Sequence, residues 1–151
     1  MMPLSPHIPR GIRNNNPLNI RHTDGVAWVG QEATQTDLDF VQFVTPEYGI
    51  RAGVRILRTY KRDGLNTIQG AINRWAPRSE NNTDAYITAV CKGCNIEPYT
   101  LVDNNKVETV VDFDAIMPAL IKAIIFHENG VQPYPDSTIS KGISLANISG
   151  G

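Results

Sequence analysis

Three groups of side chains in this 151-residue sequence have types and spacing that could do chemistry. They are the run His127-Glu128-Asn129-Gly130, the pair Cys91 and Cys94, and four asparagines between positions 14 and 19. Glu128 closes the stretch AIMPALIKAIIFHENGVQPY (115–134), in which Ile116, Leu120, Ile121, Ile124 and Ile125 recur three and four residues apart. That spacing puts them on one stripe of a helix. Asp112 or Asp114 is placed to cap its start, and Pro118 falls in the first turn, where its missing N–H costs little. Gly130 supplies the flexible residue past the end, and Pro133 and Pro135 stop any continuation. A carboxylate is badly placed at that end, because the helix dipole puts about half a negative charge there. Backed by apolar residues, such an acid is disfavoured as an anion, which suits a general acid. The competing expectation is a frayed last turn with Glu128 in water.

The CKGC run at 91–94 could be a redox pair, half a zinc site or two structural thiols. Zinc would need two more ligands, and His7, His22 and His127 form no spaced cluster. No HExxH occurs either, so the expectation is two reduced thiols at a helix end, with no metal and no cofactor. The asparagines lie in RGIRNNNPLNIR (10–21), where four of them and one proline share twelve positions. Asparagine favours turns and tolerates left-handed backbone, so this is a structured loop. Its amides offer donors and acceptors without charge, as sugar hydroxyls and acetamido groups require. Alternatively they bond only their own backbone.

The elements that must position these groups can be read in outline. With 14 basic and 15 acidic residues the net charge is −1, so bulk electrostatics suggest no nucleic-acid partner. The length fits one domain with a sizeable core. The N-terminal stretch has no apolar core of the kind a secretory signal needs, and no run approaches the roughly 20 residues of a membrane span. Residues 1–9 read as a flexible arm. Residues 25–45, with Trp28 and alternation around Leu38, Phe40 and Phe43, suggest a small β-hairpin near 26–44. Residues 46–64 suggest a helix with Pro46 at its start, Ile50, Val54, Leu57 and Tyr60 on one face, and Arg51, Arg55, Arg58 and Arg62 on a solvated one. Thr67 caps a helix through Ile68, Ala71, Ile72 and Trp75, stopped by Pro77. Asn82 or Thr83 starts another, carrying Tyr86, Ala89 and Val90. Residues 95–110 have little period, and 136–151 read as a loosely held polar tail. The expected fold is mainly α (α+β), a single domain over residues 10–135.

Three patches together, RGIRNNNPLNIR (10–21), WAPRSENNTDAY (75–86) and AIIFHENGVQPY (123–134), resemble a bacteriophage family, the "structural protein P5"-type virion proteins. With Trp28 to Gly30 and PEYGIRAGVRIL between them, the resemblance spans residues 10–134. It implies a lysozyme-like, murein-degrading domain located in the virion or the host cytoplasm and acting on the cell wall. A second resemblance is to bacterial glucosaminidases and lytic transglycosylases, whose core helix ends in a Glu-Ser-Gly-like motif with the Glu as catalytic acid. In the glucosaminidases an Asn-rich loop, a Trp-x-Gly hairpin, an aromatic-bearing helix and a tyrosine helix follow. NNNPLNI, Trp28-Val29-Gly30, residues 46–63 and Asp84-Ala85-Tyr86 look like that series, in order. HENG is similar to the acid motif but comes last, which a circular permutation would explain. Gly130 should then lie near the Arg10–Asn19 loop.

These resemblances imply Glu128 as the catalytic acid, and Asn15, Asn16, Asn19, Trp28, Tyr86 and Gln132 as substrate-binding residues. Glu80 is both a further candidate for the site and a candidate cap for the helix after it. Glu32, Asp37 and Asp39 lie where a second carboxylate would be expected. Trp75 is assigned to the core by its spacing from Ile68 and Ile72, and His127 to a different helix face from Glu128. The expected function is cleavage of peptidoglycan glycan strands with one Glu as general acid. The alternatives are a peptidoglycan endopeptidase or amidase, and a non-catalytic glycan-binding virion protein. Expected partners are glycan strands and other virion proteins.

Overall fold

The computed structural model describes residues 7–79 and 81–148. Helix α5 (Met117–Asn129) runs through the middle of the core, with Leu120, Ile121, Ile124 and Ile125 completely buried. Each such side chain contributes about 1.5–3 kcal/mol by leaving water. Pro118 lies in its first turn, and Gly130 closes it in the left-handed region at φ +75°. The expected aspartate cap is absent: Ile116 holds the N-cap position without a side-chain bond. Asp112 and Asp114 are instead engaged by cations of α2 (Pro46–Arg62), Lys61 at 2.8 and 2.9 Å and Arg58 at 3.0 Å.

Around α5 stand α1 (Arg10–Arg13), α2, α3 (Ile68–Trp75), α4 (Thr83–Gly93) and α6 (Asp136–Leu145). Helix α2 starts at Pro46 and buries Ile50, Val54 and Leu57. Thr67 caps α3 by accepting from the Gly70 amide, and Asn82 caps α4 by accepting from Ala85. Among the described residues no helix is long and apolar enough to cross a membrane.

Three expectations need correction. Residues 26–44 form no hairpin; only isolated bridges, Arg21 with Phe40 and Gln31 with Phe43, occur there. Two backbone bonds flank the Gln31–Phe43 bridge, Val44 N–H to Gly30 O at 2.8 Å and Glu32 N–H to Gln42 O at 2.9 Å. Side chains hold the rest: Gln42 Oε1 accepts from the Thr36 and Asp37 amides, and Gln35 bonds both backbone groups of Gln42. The two-stranded antiparallel sheet lies instead at β1 (Tyr99–Val102) and β2 (Asn105–Glu108), turned by Asp103 and Asn104 with positive φ. Nor is the segment after Pro135 a loose tail. Residues 136–145 form α6, which buries Ile139 and lays Gly142 against Ile50 of α2. Finally, the arginine stripe of α2 is not simply solvated. Arg51 donates to the Leu145 carbonyl, Arg55 to Ala146, and Arg58 to the Asn147 side chain. Cations thus meet the negative end of the α6 dipole, where they stabilise it.

Candidate functional site

The final turn of α5 delivers Glu128 half-exposed, with both carboxylate oxygens engaged. Oε1 accepts from Asn19 Nδ2 at 2.9 Å, and Oε2 accepts from the Tyr86 hydroxyl at 2.7 Å. Tyr86 comes from α4 and is 2% exposed. Its ring stacks on His127 at 3.9 Å between centroids. Burial, then the negative charge of Glu128, pushes the phenol far above its ordinary range, against a weaker opposing effect from Trp75. Tyr86 is therefore a neutral donor at any working pH. Asn19 can only donate from Nδ2, so a proton carried by Glu128 belongs on Oε2, beside a hydroxyl that can donate or accept.

The asparagine loop explains how Asn19 reaches the acid. Asn15 and Asn19 adopt left-handed backbone, φ +52° and +53°, a conformation asparagine tolerates better than most residues. Asn16 is fully buried; it accepts from the Ile20 amide and donates to the Ile20 and Val41 carbonyls. Asn15 donates to the carbonyl of Phe43. Asn129 donates to Pro17 O at 2.7 Å, tying the end of α5 to the loop. A methyl group on Gly11 would come within 2.6 Å of Asn129 Oδ1 and 2.7 Å of Asn19 Oδ1. The absence of a side chain there lets α1 lie against both amides.

Glu128 opens into a cleft of about 350 Å³ whose walls include Trp75, the last residue of α3, Ala76 after it, Tyr60 of α2, and Arg21 stacked on Phe40 at 4.7 Å. Among the described residues lining the cleft, Glu128 is the one carboxylate. Asp37 is gripped by Arg10 at 2.6 and 2.7 Å and by Asn14, which holds its carboxyl far below the ordinary range. Asp39 shares Arg10, and Glu32 lines a separate small groove beside Arg13 and Gln42.

Of the expected site residues, the structure brings Glu128, Asn19 and Tyr86 together. It assigns Asn15 and Asn16 to holding the loop. Trp28 lines a neighbouring groove, and Gln132 is bonded to the backbone of Tyr134. Glu80 lies outside the described residues. Trp75 is partly buried against the core, as its spacing suggests, and also lines the cleft; Tyr60, Arg21 and Phe40 join it there without having been singled out for the site. The only sequence signal for Tyr60 and Trp75 is that each is a large aromatic ending the apolar stripe of its helix. Cys91 and Cys94 are free thiols, and burial raises both, Cys94 to about 11, so neither is a nucleophile at neutral pH.

No protein-family model matches the chain. Over 136 residues it is 46% identical to "Protein P5" of Pseudoalteromonas phage PM2, a match covering 88% of this chain and 79% of that protein.

Proposed function

The chain belongs to the family of phage protein P5, and from that premise we propose that it is a virion-borne peptidoglycan glycosidase with a lysozyme-like, circularly permuted domain. Glu128 is its single general acid. The observation that carries this reading is the Glu128 carboxyl held by Asn19 and Tyr86 at the mouth of an aromatic-walled cleft. Glu128 Oε2 protonates the leaving glycosidic oxygen as oxocarbenium character develops on the sugar ring. The resulting carboxylate is stabilised by the two neutral donors already in place. It then takes a proton from the attacking hydroxyl. That nucleophile is the sugar's own 6-hydroxyl, as in lytic transglycosylases, which need no second carboxylate, and the product carries a 1,6-anhydro end. Tyr60 and Trp75 supply flat apolar faces for sugar rings. The contact between the end of α5 and the Arg10–Asn19 loop supports the permuted order, because that junction is where the acid motif would join the Asn-rich loop.

Glu128→Gln tests the proposal. Glutamine fits the site, its oxygen accepting from Asn19 and its amide donating to the Tyr86 hydroxyl, but it has no transferable proton. Cleavage of purified sacculi should fall by about two orders of magnitude or more, with Tm nearly unchanged. Mass spectrometry of the wild-type digest should find anhydro ends. A fully active Glu128→Gln protein, or a digest with new free amines and no new sugar ends, would overturn it.

A further inference from the structure

A second groove adjoins the cleft at Tyr60. Ile56 and Tyr60 also line this groove, of about 390 Å³, which runs along α2 beside Arg55, Arg58 and Arg62 and is bounded by Trp28 and Ala146. The three arginines are not equally neutralised. Arg58 is paired with Asp114 at 3.0 Å. Arg55 donates to two backbone carbonyls, Ala146 at 3.2 Å and Ile148 at 3.5 Å, and Arg62 to the Thr59 hydroxyl at 3.3 Å. Among the described residues no carboxylate pairs with Arg55 or Arg62, although acidic residues outnumber basic ones over the chain as a whole. Among the described residues Arg62 thus has no ionic partner and Arg55 only the carbonyls at the end of α6, and both flank a groove that shares the Ile56–Tyr60 wall with the cleft holding Glu128.

We propose that this groove is a subsite for the anionic peptide stem carried by the glycan, with Arg62 and Arg55 receiving its carboxylates and Trp28 packing against its aliphatic parts. This rests on the glycosidase reading of the Glu128 cleft. In peptidoglycan every second sugar carries a lactyl-linked peptide with two or more free carboxylates. A muramyl sugar seated on Tyr60 would bring its lactyl arm to the shared Ile56–Tyr60 wall, next to the arginine groove. The occupant fits in charge sign, in attachment point and in its mixture of apolar and carboxylate groups. Planar guanidinium groups suit carboxylate recognition better than lysine ammonium would. Trp28 belongs to substrate binding in this arrangement, one groove away from the acid.

Two soluble probes test it on the full chain: a GlcNAc–MurNAc disaccharide bearing a pentapeptide, and the same disaccharide without peptide. Binding is read from tryptophan fluorescence at low salt. The wild type should bind the peptide-bearing probe about fivefold or more tighter than the bare one, and the preference should shrink as salt rises, because the pairs are solvent-accessible. Arg62→Ala, at an exposed position, should weaken the peptide-bearing probe by about 2- to 5-fold and leave the bare disaccharide unchanged. Equal wild-type affinities for the two probes, or equal losses for both in Arg62→Ala, would overturn the subsite. Absence of binding to either probe overturns it as well. The acid is scored separately: a protein that prefers the peptide-bearing probe yet cuts no sacculi keeps the groove assignment and loses the role given to Glu128.

Discussion

Removing one oxygen from Tyr86 probes the acid more finely than removing the acid itself. In Tyr86→Phe the ring stays buried and stacked on His127, and the loss is confined to the 2.7 Å bond to Glu128 Oε2. A hydrogen bond contributes about 1.5–3 kcal/mol when one partner is charged and about 0.5–1.5 kcal/mol when both are neutral. In the resting protein the proposed acid carries its proton and water in the half-exposed cleft recovers part of the loss, so the stability cost stays near the lower bound of the neutral range. For a chain of this length that amounts to about 1–2 °C in Tm. In the proposed reaction the same bond would hold the carboxyl in line and stabilise the carboxylate left after proton transfer. At a factor of ten per 1.36 kcal/mol, its loss should lower kcat by about 10- to 150-fold. Dye release from labelled sacculi, run beside thermal melts, measures both effects. Because the hydroxyl acts only through Glu128, adding Tyr86→Phe to Glu128→Gln should change the residual rate very little. Wild-type kcat in Tyr86→Phe with an unchanged melt would refute the reasoning. So would an undiminished fall in the Glu128→Gln background, which would mean that the hydroxyl works elsewhere.

Two further predictions concern the scaffold. The Arg10 guanidinium and neighbouring donors depress Asp37 below its ordinary 3.8, so its contribution is present above about pH 4 and disappears as pH falls below that value. Asp37→Asn should lower Tm by about 2–8 °C at pH 7, corresponding to about 1–2 kcal/mol after solvent screening, and the deficit should close towards pH 3; a deficit independent of pH would show that charge is not its cause. Gly142→Ala should also lower Tm, since the added methyl would meet Ile50 Cγ2 at 2.5 Å and Glu47 O at 3.0 Å. Overpacking costs about 1–3 kcal/mol against a propensity gain of up to about 1 kcal/mol, and a rise in Tm would mean that α6 is not seated on α2 as described.

The sequence revealed elements whose burial is one-sided and missed those held by other means. Helix α5 was legible because its isoleucines repeat at helical spacing and all face the core, and α2 because Pro46 starts it and Ile50, Val54 and Leu57 keep one stripe. Hairpin β1–β2 was not, because all eight of its residues are exposed and leave no alternation to read. Helix α6 buries only Ile139 and Gly142, and much of its docking comes from arginines on another helix, which its own Ser- and Gly-rich sequence cannot announce. At the site, Glu128 and Tyr86 were visible through position and resemblance. The distinction between Asn19, which meets the acid, and Asn15 and Asn16, which meet backbone carbonyls, depends on where the left-handed residues turn the loop.

The two bonds that hold Glu128 span 109 and 42 residues of chain. At a synthesis rate of about 5–20 residues per second, the Asn19 loop leaves the ribosome about 5–20 s before the acid does. Tyr60 and Trp75 emerge within that interval, and Glu128 comes after both. On the proposed glycosidase reading, a chain that stalls or is cut before residue 128 should therefore be inert. The Asn19–Glu128 contact closes across 109 residues, and such long-range closure follows local structure. Under that reading cutting activity should report completed folding, a direct kinetic probe for refolding experiments.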